Sequence, residues 1–282
     1  MSTEAVIEIK DLQIGFPSSD DGLRYPIDGV SLSVAAGERV GLVGESGSGK
    51  SLTALSCLGL VPEPGRVTKG AISINGTDIS TLSDTDLRKL RGGEIGLIMQ
   101  EASEALNPVY TAGFQVAETV AAHRGIGIKE ASEEALSLLS DAALDEPDSI
   151  ARAYPHQLSG GQAQRVMLAL ALAARPRVVI ADEPTSALDL LTQAQVIALL
   201  GRLVDERDMS LLVISHDLAV VASLVDRILV MQGGRIVEEG PPTDVFSSPQ
   251  HAATRALLAS VPGRGRPLRC DGKRREGDDV NG

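Results

Sequence analysis

The chain has no tryptophan, and its three phenylalanines and three tyrosines amount to only 2% of 282 residues. Leu, Val, Ile and Ala must therefore fill the core, and any aromatic at the surface stands out as a candidate contact residue. Cysteine is scarcer still. Cys57 and Cys270 are too few for a disulfide framework or a cysteine-based metal site, and they read as a helix-packing residue and a tail residue. Long apolar runs are also missing: the longest, residues 166–174, falls far short of the ~20 residues that a membrane-spanning helix needs. Near the start, Glu4, Glu8 and Asp11 interrupt short apolar pieces where a secretory signal would have a basic end and an apolar stretch. The expectation is a soluble, cytosolic chain. Basic residues are outnumbered 26 to 38, and the net charge of −12 argues against a broad phosphate-backbone footprint, so nucleic acid is not an expected partner.

What is present suffices for a substantial core, with 43% hydrophobic residues in one large domain or one domain with a subdomain. Residues 5–14 and 27–34 are rich in β-branched side chains around a polar turn at residues 18–22, which predicts an N-terminal hairpin. Residues 39–43 read as a buried strand that runs into a glycine loop, followed by a helix from Lys50 to about Leu60 that Pro62, Pro64 and Gly65 end. Further strands are expected at residues 71–74, 95–99, 178–182, 211–215, 227–231 and 235–238. Between Gln100 and Arg175 the pattern turns helical, at residues 116–124, 128–141 and 160–174, which suggests a helical subdomain inserted into an α/β core. After Pro241 and Pro242, one short helix at residues 252–258 precedes an end, from Gly263, rich in Gly, Arg and Asp and expected to be disordered. No motif occurs twice, so a single nucleotide-binding unit is expected.

Gly44, Glu45, Ser46, Gly47, Ser48, Gly49, Lys50 and Ser51 match the full phosphate-binding loop spacing, with a strand before and a helix after. The glycines let backbone N–H groups curl toward a β-phosphate, Lys50 supplies charge to the β- and γ-phosphates, and Ser51 is placed to bind Mg²⁺. A glycine turn that binds nothing would have no use for the Lys-Ser pair. Residues 178–181 form a continuous apolar run that ends in Asp182 and Glu183, as a central parallel strand delivers acids to its carboxyl edge. Asp182 is expected to hold Mg²⁺ through a water and Glu183 to polarise the attacking water. Ser159, Gly160, Gly161 and Gln162 make a good helix N-terminus and, with their unpaired N–H groups, a good anion receptor.

In chain order, residues 44–51, 159–162 and 178–183 resemble Walker A, the signature motif and Walker B of an ABC-type ATPase, and the resemblance spans residues 5–262. It implies a RecA-like P-loop NTPase core of class α/β, with an N-terminal antiparallel β region and an inserted α-helical subdomain. It implies a nucleotide-binding domain over residues 1–240, the helical subdomain at about 101–175, and a short C-terminal extension with a disordered tail over 241–282. It implies ATP and Mg²⁺ as substrate and cofactor. Gln100 resembles the Q-loop glutamine that touches Mg²⁺ and the attacking water; Ser186, Ala187, Leu188 and Asp189 resemble the D-loop; His216 resembles the switch histidine. The other histidines, His123, His156 and His251, read as packing or surface residues. An aromatic that stacks on adenine is expected in the hairpin, with Phe16 fitting by spacing and Tyr25 as the fallback.

The signature residues would then act on the ATP of a partner subunit. Residues 106–111, 249–251 and 254–258 resemble the oligopeptide, dipeptide and nickel importer ATPases, which implies a peripheral subunit on the cytoplasmic membrane face. Its implied partners are a second ATPase chain, different or a copy of itself, two integral membrane permease subunits and an extracellular solute-binding protein. Residues 101–110 would face the membrane subunits. The solute implied is a di- or oligopeptide, with nickel or a metal chelate as the alternative and a soluble, non-transport ATPase as the more distant one. Glu101, Ala163 and the sequence His251-Ala252-Ala253 depart from common family residues, and the lone Cys270 leaves no basis for a C-terminal metal centre.

Overall fold

The computed structural model describes residues 4–18, 22–186 and 188–260. The tip of the expected hairpin turn, Ala187 of the expected D-loop, and Cys270 with the expected tail from Gly263 lie outside the described residues.

The first strands, β1 (Ala5–Pro17) and β2 (Leu23–Ala35), pair antiparallel as the β-branched pattern predicts, with Ile14 opposite Ile27. Strand β3 (Arg39–Val43) leads into the glycine loop, and helix α1 (Lys50–Cys57) leaves it. That helix stops three residues before the expected Leu60, because Leu58 N–H turns back to Leu55 O and Gly59 takes a left-handed φ of 63°. Strands β4 (Arg66–Ile74) and β5 (Thr77–Asp78) extend the first sheet to the order β2-β1-β4-β5. Helix α2 (Asp84–Gly93), which the sequence reading did not single out, is capped by Ser83 and leads into β6 (Ile95–Ile98).

Five helices follow with no strand between them among the described residues: α3 (Ala102–Ala105), α4 (Ala112–Arg124), α5 (Ile128–Asp141), α6 (Pro147–Arg152) and α7 (Gly160–Leu172). The chain then alternates through β7 (Val178–Asp182), α8 (Leu190–Glu206), β8 (Ser210–Ser215), α9 (Leu218–Ala222) and β9 (Arg227–Gln232). It closes with β10 (Arg235–Gly240), α10 (Pro242–Ser247) and α11 (Ala252–Ser260). The second sheet has the order β10-β9-β3-β8-β7-β6, parallel throughout except for the β10 edge.

Both faces of this parallel sheet are covered, which explains why its strands are continuous apolar runs. Side chains alternate between two cores. Val40, Leu42, Val178 and Ile180 join the antiparallel sheet and α1 on one side, while Val43, Val179 and Ala181 join the helices on the other. No helix among the described residues is long and apolar enough to cross a membrane.

Leu168 of α7 is among the largest fully buried side chains of the helical side. Leu168→Ala should lower the unfolding free energy by about 2–5 kcal/mol in urea titration, and a loss under ~1 kcal/mol would mean that α7 is not packed this way.

Candidate functional site

The carboxyl ends of β3, β7 and β8 converge on one edge of the parallel sheet, and the expected phosphate-loop, acidic and histidine residues stand there at the strand ends and in the loops that leave them. After β3 the loop turns through Gly47 and Gly49, with φ of 78° and 110°, a left-handed backbone that L side chains rarely adopt. At Gly49 packing forbids a side chain as well. A Cβ there would lie 2.7 Å from Ile27 Cδ1, 2.8 Å from Met231 Cε and 2.9 Å from Pro26 O. Lys50, only 6% exposed as a residue, donates through its ammonium to Gly44 O at 2.8 Å and to Glu45 O at 3.0 Å, so the loop winds around its own lysine. Burial lowers the pKa of Lys50, and Glu183 and Asp182 work against that shift.

Asp182 ends β7, and its carboxyl is pushed above the usual carboxylate range by burial, with Glu183 adding to the push. The hydroxyl of Ser51 and the charge of Lys50 oppose it. One oxygen of Asp182, Oδ1, is buried without a hydrogen-bond partner. A buried, unsatisfied carboxylate oxygen beside a serine hydroxyl is a donor set suited to a hard divalent cation such as Mg²⁺.

Glu183 leaves the strand with φ 47°, so its side chain is redirected by the backbone rather than by strand alternation alone. Its Oε1 accepts from His216 N–H at 3.0 Å and lies 2.8 Å from His216 Nδ1, and its Oε2 accepts from Ser215 Oγ at 3.3 Å. Ser215 went unnoticed in the sequence, although its place at the end of a buried strand, just before His216, was the available signal.

A cavity of about 550 Å³ gathers Ser46, Gly47, Gly49, Lys50, Ser51, Gln100, Glu183, Ser186 and His216, together with Pro26 and Leu52. The structure thus brings Gln100, expected from its resemblance to the Q-loop glutamine, to the glycine loop. Phe16 is not among the lining residues, and its ring packs on Gly65, where a Cβ would lie 2.3 Å from Phe16 Cζ. The fallback residue Tyr25 precedes Pro26, which does line the cavity.

Ser159, Gly160, Gly161, Gln162 and Asp189 line a different cavity, of about 460 Å³. Ser159 and Gln162 form a reciprocal cap at the start of α7, with Gln162 N–H donating to Ser159 Oγ at 3.3 Å and Ser159 N–H to Gln162 Oε1 at 2.9 Å. Asp189 caps α8 by accepting from Leu191 N–H and Thr192 N–H at 3.1 Å, and its pKa falls chiefly through the Thr192 hydroxyl. Arg165 and Thr192 share the wall. A larger groove of about 740 Å³ runs along α8 past Leu190 and Ile197 and holds none of the expected site residues.

Beyond β6, Gln115 ties down the segment before α4: its Oε1 accepts from Asn107 N–H at 2.8 Å and its Nε2 donates to Asn107 O and Tyr110 O at 3.1 Å. On this shelf Val109 is 69% exposed and Tyr110 45%, and the Tyr110 ring lies 4.9 Å from that of Phe114. Near the end, Glu238 of β10 accepts from Gln250 N–H and His251 N–H, both at 2.8 Å, and from the Thr254 hydroxyl, which seats α11.

With this geometry in view, comparison with known proteins gives a consistent result. Residues 27–186 match the ABC transporter family. The chain is 45% identical over 258 residues to the dipeptide transport ATP-binding protein DppD of Haemophilus influenzae, covering 92% of this chain and 78% of that protein. It is 42% identical over 263 residues to the oligopeptide transport ATP-binding protein AppD of Bacillus subtilis, covering 93% and 79%. Among solved structures it resembles the dimeric ATP-binding cassette MJ0796 in a post-hydrolysis state bound to ADP and Pi. That match has a TM-score of 0.73 and 32% identity, covering 84% of this chain and 98% of the other.

The raised pKa of Asp182 has a consequence for stability. The folded chain holds this proton more tightly than the unfolded one, so the carboxylate costs stability as pH rises through the folded-state pKa. Asp182→Asn should therefore melt higher than the parent at pH 7 without added metal, and the gap should close under acid conditions where both states are protonated. Equal melting temperatures at pH 7 would contradict the assignment.

Proposed function

The chain belongs to the ABC transporter family, among the ATP-binding subunits of oligopeptide and dipeptide importers, and from that premise we propose the following working of its two cavities. The chain is an ATPase that drives uptake of a di- or oligopeptide through membrane permease subunits. The 550 Å³ cavity takes the triphosphate of ATP, with residues 44–51 around the phosphates and Lys50 against the β- and γ-phosphates.

Glu183 polarises the attacking water. Its carboxylate is fixed in place by Ser215 and by the His216 backbone, which leaves the His216 ring, 68% exposed, able to turn from Glu183 to a γ-phosphate oxygen. Ser51, Asp182 and Gln100 are the groups that would hold Mg²⁺, and the orphaned Asp182 Oδ1 supports that assignment. When bound, the ion neutralises charge on the phosphate oxygens.

Separation of the two cavities is the observation that carries the proposal. The signature residues and Asp189 share no wall with residues 46–51, so they act on the nucleotide of a second ATPase subunit, a sibling chain or a copy. The exposed Val109 and Tyr110, on a shelf braced by Gln115, suit a membrane-subunit contact at the cytoplasmic face. A solute-binding protein outside the cell would deliver the peptide to that complex.

Purification of the full chain from detergent-solubilised membranes should bring down two integral membrane subunits. In that complex Glu183→Gln should keep ATP binding and lose turnover by about 10²-fold or more. A complex without membrane subunits, or unchanged turnover, would refute the proposal.

A further inference from the structure

The turn between β9 and β10 touches the glycine loop and the start of β2 at once. Gly234 N–H donates to Ser48 O at 3.0 Å, and Gly234 O accepts from Asp28 N–H at 2.9 Å. Arg235 Nη2 then closes on Asp28 Oδ2 at 2.5 Å, while Asp28 Oδ1 takes Gln13 Nε2 at 3.0 Å. No space remains inside this junction. A Cβ at Gly234, where φ is 78°, would lie 2.6 Å from Pro26 O and 3.2 Å from Asp28 N. The same carbonyl of Pro26 would lie 2.9 Å from a Cβ at Gly49. Pro26 is thus clasped between two bare glycine backbones, one in the phosphate loop and one in the β9–β10 turn, and it lines the nucleotide cavity.

We infer that Gly234 is a positioning residue for the nucleoside end of ATP: by adding no atom between the turn and Pro26, it sets how closely β2 approaches the phosphate loop. The inference rests on the nucleotide reading of the cavity. Of the three parts that meet here, the phosphate loop is the least free to move, being continuous with the central strand β3 and α1 and wound on Lys50. The start of β2 is less braced than that loop, since Arg24 and Tyr25 are exposed. A methyl group at Gly234 would therefore displace Pro26 and Tyr25 outward and leave the phosphate groups' seat in place. Binding of the base and ribose would suffer, and binding of a bare polyphosphate would not.

Gly233 supplies the control. It also has a left-handed φ, 54°, but a Cβ there meets nothing within 4 Å, so Gly233→Ala carries the backbone strain without the collision. The test is calorimetric titration of the full chain with ATP and with inorganic tripolyphosphate, both with Mg²⁺. Gly234→Ala should weaken ATP by at least about tenfold and change tripolyphosphate by less than about twofold, while Gly233→Ala leaves both within about twofold. Unchanged ATP affinity in Gly234→Ala, a parallel loss of tripolyphosphate, or the same loss in Gly233→Ala would each overturn the inference. A parent chain that binds neither ligand would instead sink the nucleotide reading itself. Should Gly234→Ala fail to fold, Arg235→Gln loosens the same junction and should show the same selective loss, about threefold; equal effects on both ligands would overturn it.

Discussion

Lys50 carries a positive charge into a site where only 6% of the residue meets solvent, and the charge is tolerable because the carbonyls of Gly44 and Glu45 close on it at 2.8 and 3.0 Å. Those two bonds wind residues 44–50 into a loop, and the winding imposes the left-handed turns at Gly47 and Gly49. What packs against the loop leaves no room for a Cβ, from Met231 and Ile27 beside Gly49 to Pro26 beside the turn at Gly234. The acids of β7 complete the balance. Asp182 and Glu183 oppose the loss of the Lys50 proton, and the buried Asp182 is in turn restrained by Lys50 and Ser51.

Strand order puts these groups together. Because β3 lies between β8 and β9, with β7 next to β8, the loop after β3 meets Asp182 and Glu183 from one side and Ser215 and His216 from the next. The helices between β6 and β7 carry the signature segment to the start of α7, where it shares a cavity with Asp189 at the start of α8. The two cavities share no lining residue, which is the arrangement that the proposed pairing of two subunits requires.

Much of this was legible in the sequence. Strands β3 and β7 and helix α5 fall on their expected bounds, because unbroken apolar runs and regular helical spacing announce buried elements directly. Strand β4 begins five residues early, at Arg66, since its first half is exposed and polar and shows no alternation. The apolar positions Val196, Leu199, Leu200 and Leu203 of α8 did carry a helical signal that the reading passed over. Phe16 shows a different limit: spacing gives a position along β1 but not the neighbour its ring meets, which is Gly65. Likewise the contacts of Gly234 with Ser48, Asp28 and Pro26 join segments about two hundred residues apart, and no local pattern encodes them.

The proposal that Ser159 and its neighbours serve another subunit's ATP is the central claim, and one substitution tests it. Ser159→Arg fills the signature cavity with a bulky cation, and Ser159 is not among the residues lining the chain's own proposed nucleotide cavity. Turnover of the assembled transporter and ATP affinity of the isolated chain are the two quantities to measure. The account predicts a turnover loss of ~100-fold or more in the complex, with ATP affinity of the isolated chain unchanged. Weakened ATP binding by the isolated chain, or full turnover in the complex, would contradict it.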